Sequence, residues 1–94
     1  MIIVHSKNIV KVDKFSKLIA LVEKLAIETK KEPGCIEYFF TKVDGKDNEY
    51  AFIEKWESKE ALERHKKTPH FLELIPKMNE FRETPVVTIY EIVL

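Results

Sequence analysis

The chain has 94 residues with 16 Lys and Arg against 16 Asp and Glu, a formal charge of zero, and 45% hydrophobic residues with only two glycines. That length suits one domain over 1–94, whose folding removes about 60–70% of the extended chain's surface from water, and leaves no room for two cores. A neutral chain has no field to gather nucleic acid or an anionic membrane surface, so neither is expected as a partner. From the N-terminus, IIVHSKNIVKV (2–12) is rich in Ile and Val and reads as a first strand. It is too short and too interrupted by charge for a leader or a membrane span, which leads to the expectation of a cytoplasmic protein. From about Asp13 the period changes. Phe15, Leu18, Ile19, Val22, Leu25, Ala26 and Thr29 recur at the three-and-four spacing of one helical face. Pro33-Gly34 ends that helix, since the residue before proline is pushed out of the helical region and glycine accepts a chain reversal. CIEYFFTKV (35–43) follows as a strand, DGKDN (44–48) as a hairpin loop, and YAFIEKW (50–56) as the returning strand.

Ser58 is a good N-cap for a short helix, KEALERHKK, with Glu60/Arg64 and Glu63/Lys67 pairs on a solvated face. Thr68-Pro69 opens another helix, with Thr as the cap and Pro in the first turn, where its missing N–H is harmless. Phe71, Leu74, Ile75 and Met78 form its apolar stripe, and Pro76 inside the stripe should kink or shorten it. VVTIYEIVL closes the chain as a last strand. The order β-α-β-β-α-α-β is α+β and ferredoxin-like, with one antiparallel sheet and its helices on one face.

In much of the sheet both alternating sets are apolar: Ile36, Tyr38 and Phe40 against Cys35, Phe39 and Val43, and Val86, Tyr90 and Ile92 against Val87, Ile89 and Val93. Helices can hide one face only, and the simplest cover for the other is a second copy of the same sheet. Burying several such side chains at about 1.5–3 kcal/mol each makes a sheet-to-sheet homodimer the expected assembly. Cys35 stands alone, which excludes an internal disulfide and any multi-cysteine metal site, and reads as a small core residue. Two glycines cannot build a phosphate loop. No His-x-x-x-His or acidic cluster offers metal ligands, so no metal and no cofactor is expected.

EPGCIEYFF (32–40), IEKWESKEAL (53–62) and HKKTPHF (65–71), in this order and at these separations, resemble the antibiotic biosynthesis monooxygenase family of dimeric α+β barrels. The resemblance spans about residues 2–91. It implies a cofactor-independent oxygenase acting on a small quinol or polycyclic aromatic, whose anion reacts with O2 in a pocket that supplies deprotonation and excludes water. Similar sequences also include haem-degrading enzymes and an isomerase of a phosphorylated quorum-sensing signal, the latter with a closely similar H-K-x-T-P-H stretch. The axial histidine that haem degraders need falls at Ile75 here, which argues against haem. A non-catalytic small-molecule binding dimer is the reading from a different class.

Against that background the candidate residues each carry two readings. His65 shares a face with Ala61 and Leu62, and is either a packing histidine or a pocket base. His70 lies in the first turn after Thr68, where it either supports the helix start or lines the pocket, and the helix terminus disfavours its charged form. On one continuous helix the two would sit about 140° apart. With the break between them they read as separate objects, not as joint metal ligands. Trp56 is a core aromatic or, as in oxygenase relatives, a wall of the cavity. Glu54, on the same strand face, is an ion-pair partner or a desolvated proton acceptor beside Trp56 and Phe52. Asn8 resembles the strand asparagine that oxygenase relatives use to bind substrate or oxygen, and Tyr38 and Phe71 complete the candidate lining. If the isomerase reading held, Lys66 or Lys67 would turn toward the pocket.

Overall fold

The computed structural model describes residues 1–94. In chain order it contains β1 (Ile2–Ile9), α1 (Phe15–Thr29), β2 (Cys35–Lys42), β3 (Glu49–Trp56), α2 (Lys59–His65), α3 (Pro69–Met78) and β4 (Val86–Glu91). The strands form one fully antiparallel sheet in the order β2-β3-β1-β4, which is the expected α+β, ferredoxin-like plan.

The local signals explain most boundaries. Ser58 Oγ accepts from the Ala61 N–H at 3.1 Å, and Thr68 Oγ1 from the Phe71 N–H at 3.3 Å, so each short helix has its side-chain cap. Gly34 has φ +88°, and a Cβ there would lie 2.7 Å from that of Ala61. The turn after α1 therefore needs glycine both for its dihedral and for the close approach of α2. β1 is shorter than its run of apolar residues because the chain turns at Asp13, with φ 61°, before α1 begins at Phe15. Val10 is instead held in a bridge to Arg82. Pro76 does not break α3, which ends two residues beyond it at Met78.

One alternation differs from the sequence reading. Cys35 pairs with Trp56 and Tyr38 with Glu54, because a bulge between Cys35 and Glu37 inserts an extra residue. Cys35 therefore shares the helix-side face with Tyr38 and packs against the core, instead of facing away with Phe39.

Leu18, Val22 and Leu25 of α1, with Leu74 and Met78 of α3 and Ala61 and Leu62 of α2, bury the helix-side residues Ile2, Val4, Phe52 and Trp56. All six residues of β4 remain exposed. By register Val87 and Ile89 lie on the helix side, whereas Val86 and Tyr90 share the opposite face with Ile3, Ile53 and Phe39. No helix of the chain covers that opposite face. No helix is long and apolar enough to cross a membrane.

Candidate active site

Strand alternation places Val4 and Ser6 of β1, Tyr38 of β2, and Phe52 and Glu54 of β3 on one surface under α2 and α3. They form the floor of a cavity of about 160 Å³, roofed by Leu62, His65, Phe71 and Ile75. Pro85, Val87 and Ile89 stand at its β4 side, where the last two are about half exposed. The walls are chiefly apolar; the polar exceptions, Glu54, His65, Lys66, Arg82 and Ser6, carry the chemistry.

Glu54 is buried, and its Oε1 accepts from Trp56 Nε1 at 2.9 Å. Burial lifts its carboxyl to about 7, with the charge of Glu32 adding to the rise and the indole bond and Lys66 opposing it. A carboxyl poised there can take or give a proton at neutral pH.

The second group is a convergence of three residues. Helix α2 ends at His65, whose carbonyl accepts from Thr68 Oγ1 at 2.8 Å, and α3 starts at Pro69 in a new direction. The change of direction brings both histidines to Glu32, in the turn after α1: His65 Nδ1 and His70 Nε2 each lie 2.7 Å from Glu32 Oε2. This corrects the expectation that the histidines are separate objects, because helical-wheel angles apply to one continuous helix and the Thr68-Pro69 break removes that constraint. A carboxylate only accepts, so the nitrogens facing it carry the protons. Neutral His65 is thereby fixed as the Nδ1–H tautomer, and Nε2, which makes no hydrogen bond within the chain, keeps its lone pair. Burial lowers the His65 pKa, an effect that outweighs the opposing pull of Glu32. The ring packs against Trp56, at a centroid distance of 4.7 Å, and makes an edge-to-face contact with Phe71 at 5.0 Å.

These three donor atoms lie within 4.8 Å of one another, so they bear on a metal as well. Ligands around a tetrahedral zinc ion, bound at about 2.0–2.1 Å, stand about 3.3 Å apart. The two 2.7 Å separations are those of shared protons.

The structure brings His65, Glu54, Tyr38, Phe52 and Phe71 to the cavity. Trp56 is fully buried beneath it and acts on it only through Glu54 and the His65 ring. Asn8 is also fully buried and outside the wall; Oδ1 accepts from Arg82 Nη1 and Nδ2 donates to the Ser6 carbonyl at 2.8 Å, which commits its amide. His70 faces a separate cleft with Leu21, Lys24, Glu73 and Lys77. Ile75 offers the wall no ligand atom. Sequence reasoning missed Glu32 and Arg82. Glu32 opens the E-P-G-C stretch, and its place beside a Pro-Gly turn was the only available signal, whereas Arg82, between Glu80 and Glu83, looks like ordinary loop charge.

The fold and cavity define a ferredoxin-like α+β protein with acid–base groups buried between sheet and helices. The chain belongs to the antibiotic biosynthesis monooxygenase family, whose model matches residues 1–77. It is 38% identical over 92 residues to an uncharacterized protein of Synechocystis sp., a match covering 96% of this chain and 63% of that one, so the chain spans less than two thirds of that relative. Among solved structures it is similar to a conserved protein from Methanosarcina mazei Go1, with TM-score 0.93, 31% identity and coverage of 96% and 90% of the two chains. It is likewise similar to an antibiotic biosynthesis monooxygenase, with TM-score 0.91, 30% identity and full coverage of both chains.

Proposed function

We propose that the protein is a cofactor-independent monooxygenase that oxidises a small quinol with O2, working as a homodimer joined through the open sheet face. The carrying observation is His65, held by Glu32 as the Nδ1–H tautomer with Nε2 left free in a chiefly apolar cavity. Nε2 takes the phenolic proton, and the phenolate gives electrons to O2. One oxygen atom enters at a ring carbon and the other leaves as water, so hydroquinone and O2 become hydroxyquinone and water. The substrate supplies all four electrons. Glu54, titrating at about 7, is the second group able to move a proton.

Size favours one ring over several. An apolar cavity of roughly 150 Å³ holds a benzene, and this one is about 160 Å³; a polycyclic substrate would have to project past Val87 and Ile89. The test is oxygen uptake with a hydroquinone panel, with 18O2 to place the inserted atom. Uptake that is lost in His65→Ala by about 10²–10⁴-fold supports the reading, and no protein-dependent uptake across the panel refutes it. Lys66 in the wall favours a second reading, an isomerase of a phosphorylated sugar-like signal. Turnover under strict anaerobiosis would select it.

A further inference from the structure

Arg82 is only 4% exposed and contributes to the cavity wall. Its partners are neutral amides: Nε and Nη2 donate to Asn79 Oδ1 at 3.1 and 2.9 Å, and Nη1 donates to Asn8 Oδ1. It takes part in none of the chain's ion pairs. Three bonds from five N–H groups leave one N–H on each terminal nitrogen without a partner. A guanidinium taken out of water without a carboxylate is costly, and breaking one partner from such a charge leaves a penalty that amides only partly offset. The side chain is also held rigidly. Asn79 ends α3, Asn8 is fixed by its bond to the Ser6 carbonyl, and the Arg82 backbone bridges to Val10. Tying α3 to β1 could be done by any neutral hydrogen-bonding residue; it does not account for a buried positive charge at a cavity.

We infer that Arg82 is an oxyanion subsite, and that the cavity takes a single-ring aromatic carrying an anionic oxygen group that completes the guanidinium's ion pair. This rests on the proposed cavity as the substrate site and deepens it by naming the substrate class. Asn8 and Asn79 are positioning residues for the guanidinium, which also explains why Asn8 is fully committed within the chain.

Binding measured by calorimetry without O2 separates this inference from turnover. Three probes are used: 2,5-dihydroxybenzoate, its neutral isostere 2,5-dihydroxybenzamide, and phenyl phosphate. In the wild type an anionic probe binds about 10- to 100-fold tighter than the amide, the range expected of a charge-assisted pair shielded from water. Whichever of the carboxylate and phosphate binds tighter identifies the anion's source. Arg82→Met, checked for folding by circular dichroism, removes the preference by bringing the affinity for the anionic probe down to that for the amide; Arg82→Lys retains part of it. Equal wild-type affinity for acid and amide overturns the inference, as does the absence of anion binding at millimolar concentration or a preference that survives in folded Arg82→Met. The wild-type comparison stands even if both variants fail to fold.

Discussion

Glu54→Gln should make the protein more stable at alkaline pH than the wild type, by an amount set by the carboxyl's burial. The wild-type group titrates at about 7 in the fold against 4.5 when free. Between those values the folded chain holds a proton that the unfolded chain has released, so wild-type stability falls as pH rises through the window and is fully reduced above about pH 8. At about 1.4 kcal/mol per tenfold difference in proton affinity, the loss between pH 5 and pH 8 is about 2–3 kcal/mol. Glutamine keeps the shape and an oxygen for Trp56 Nε1, yet never ionises, so the variant lacks this pH dependence. Urea unfolding of both proteins at pH 5 and pH 8 gives a difference of differences in which His65 and every other shared group cancels. The wild type should lose about 2–3 kcal/mol relative to the variant over that interval. A gap that stays constant within about 0.5 kcal/mol would show that water reaches Glu54 and would remove it as a proton-transfer group near neutrality.

Glu32→Gln should cut kcat/KM on a confirmed quinol by about 10²–10⁴-fold, because an amide can donate to His65 Nδ1 and select the wrong tautomer. Losing Glu32 also lowers the His65 pKa further, so any remaining acid limb of the pH–rate profile moves to lower pH; an unchanged rate would remove the dyad. Gly34→Ala should cost about 1–3 kcal/mol in urea unfolding, since φ is +88° and the new Cβ meets that of Ala61 at 2.7 Å; a cost under about 0.5 kcal/mol would mean that the turn shifts freely. Tyr90→Lys or Val86→Lys, on the open sheet face, should convert a dimer to monomer in light scattering, and a folded wild-type monomer at micromolar concentration would end the dimer argument. Purified protein analysed by plasma emission should carry no stoichiometric transition metal, and one-to-one zinc that is lost in His70→Ala would overturn the hydrogen-bonded reading of Glu32, His65 and His70.

How far the sequence revealed the molecule depended on whether a feature is local. The caps at Ser58 and Thr68, the α1 stripe and the hairpin before β3 rest on neighbours within a few residues, and composition at those positions is enough. Strand alternation likewise sufficed to put Glu54 and Trp56 on one face. The β2 bulge was not visible, because an extra unpaired residue between Cys35 and Glu37 follows from pairing with β3, not from the order C-I-E-Y. Nor was the meeting of His65 and His70 on Glu32. That depends on the angle between α2 and α3 and on a turn 33 residues earlier in the chain than His65. Arg82 and Asn8 are separated by 74 residues, and nothing at either position announces the other.

Three ionisable side chains that are buried without an opposite charge beside them, or with a ring nitrogen left over, line one cavity. Glu54 is a carboxyl with no cationic partner within ion-pair distance, Arg82 is a guanidinium with no carboxylate, and His65 is a buried ring whose Nδ1 meets Glu32 while Nε2 makes no hydrogen bond within the chain. A fold under selection for stability alone would exchange each for a neutral residue of similar volume, as the linkage argument for Glu54→Gln illustrates. Away from the cavity Leu18, Val22, Leu25, Leu74 and Met78 pack against Ile2, Val4 and Phe52 without a charge among them, and the one buried polar atom there that lacks a hydrogen-bond partner is the neutral Thr29 Oγ1. Glu54 and Arg82 line the same cavity, yet neither is an ion-pair partner of the other. Keeping them apart leaves a proton acceptor at one place and an uncompensated positive charge at another. The proposed ligand, with an acidic hydroxyl for His65 and an anionic oxygen for Arg82, would give each of these groups the partner that the chain itself does not supply.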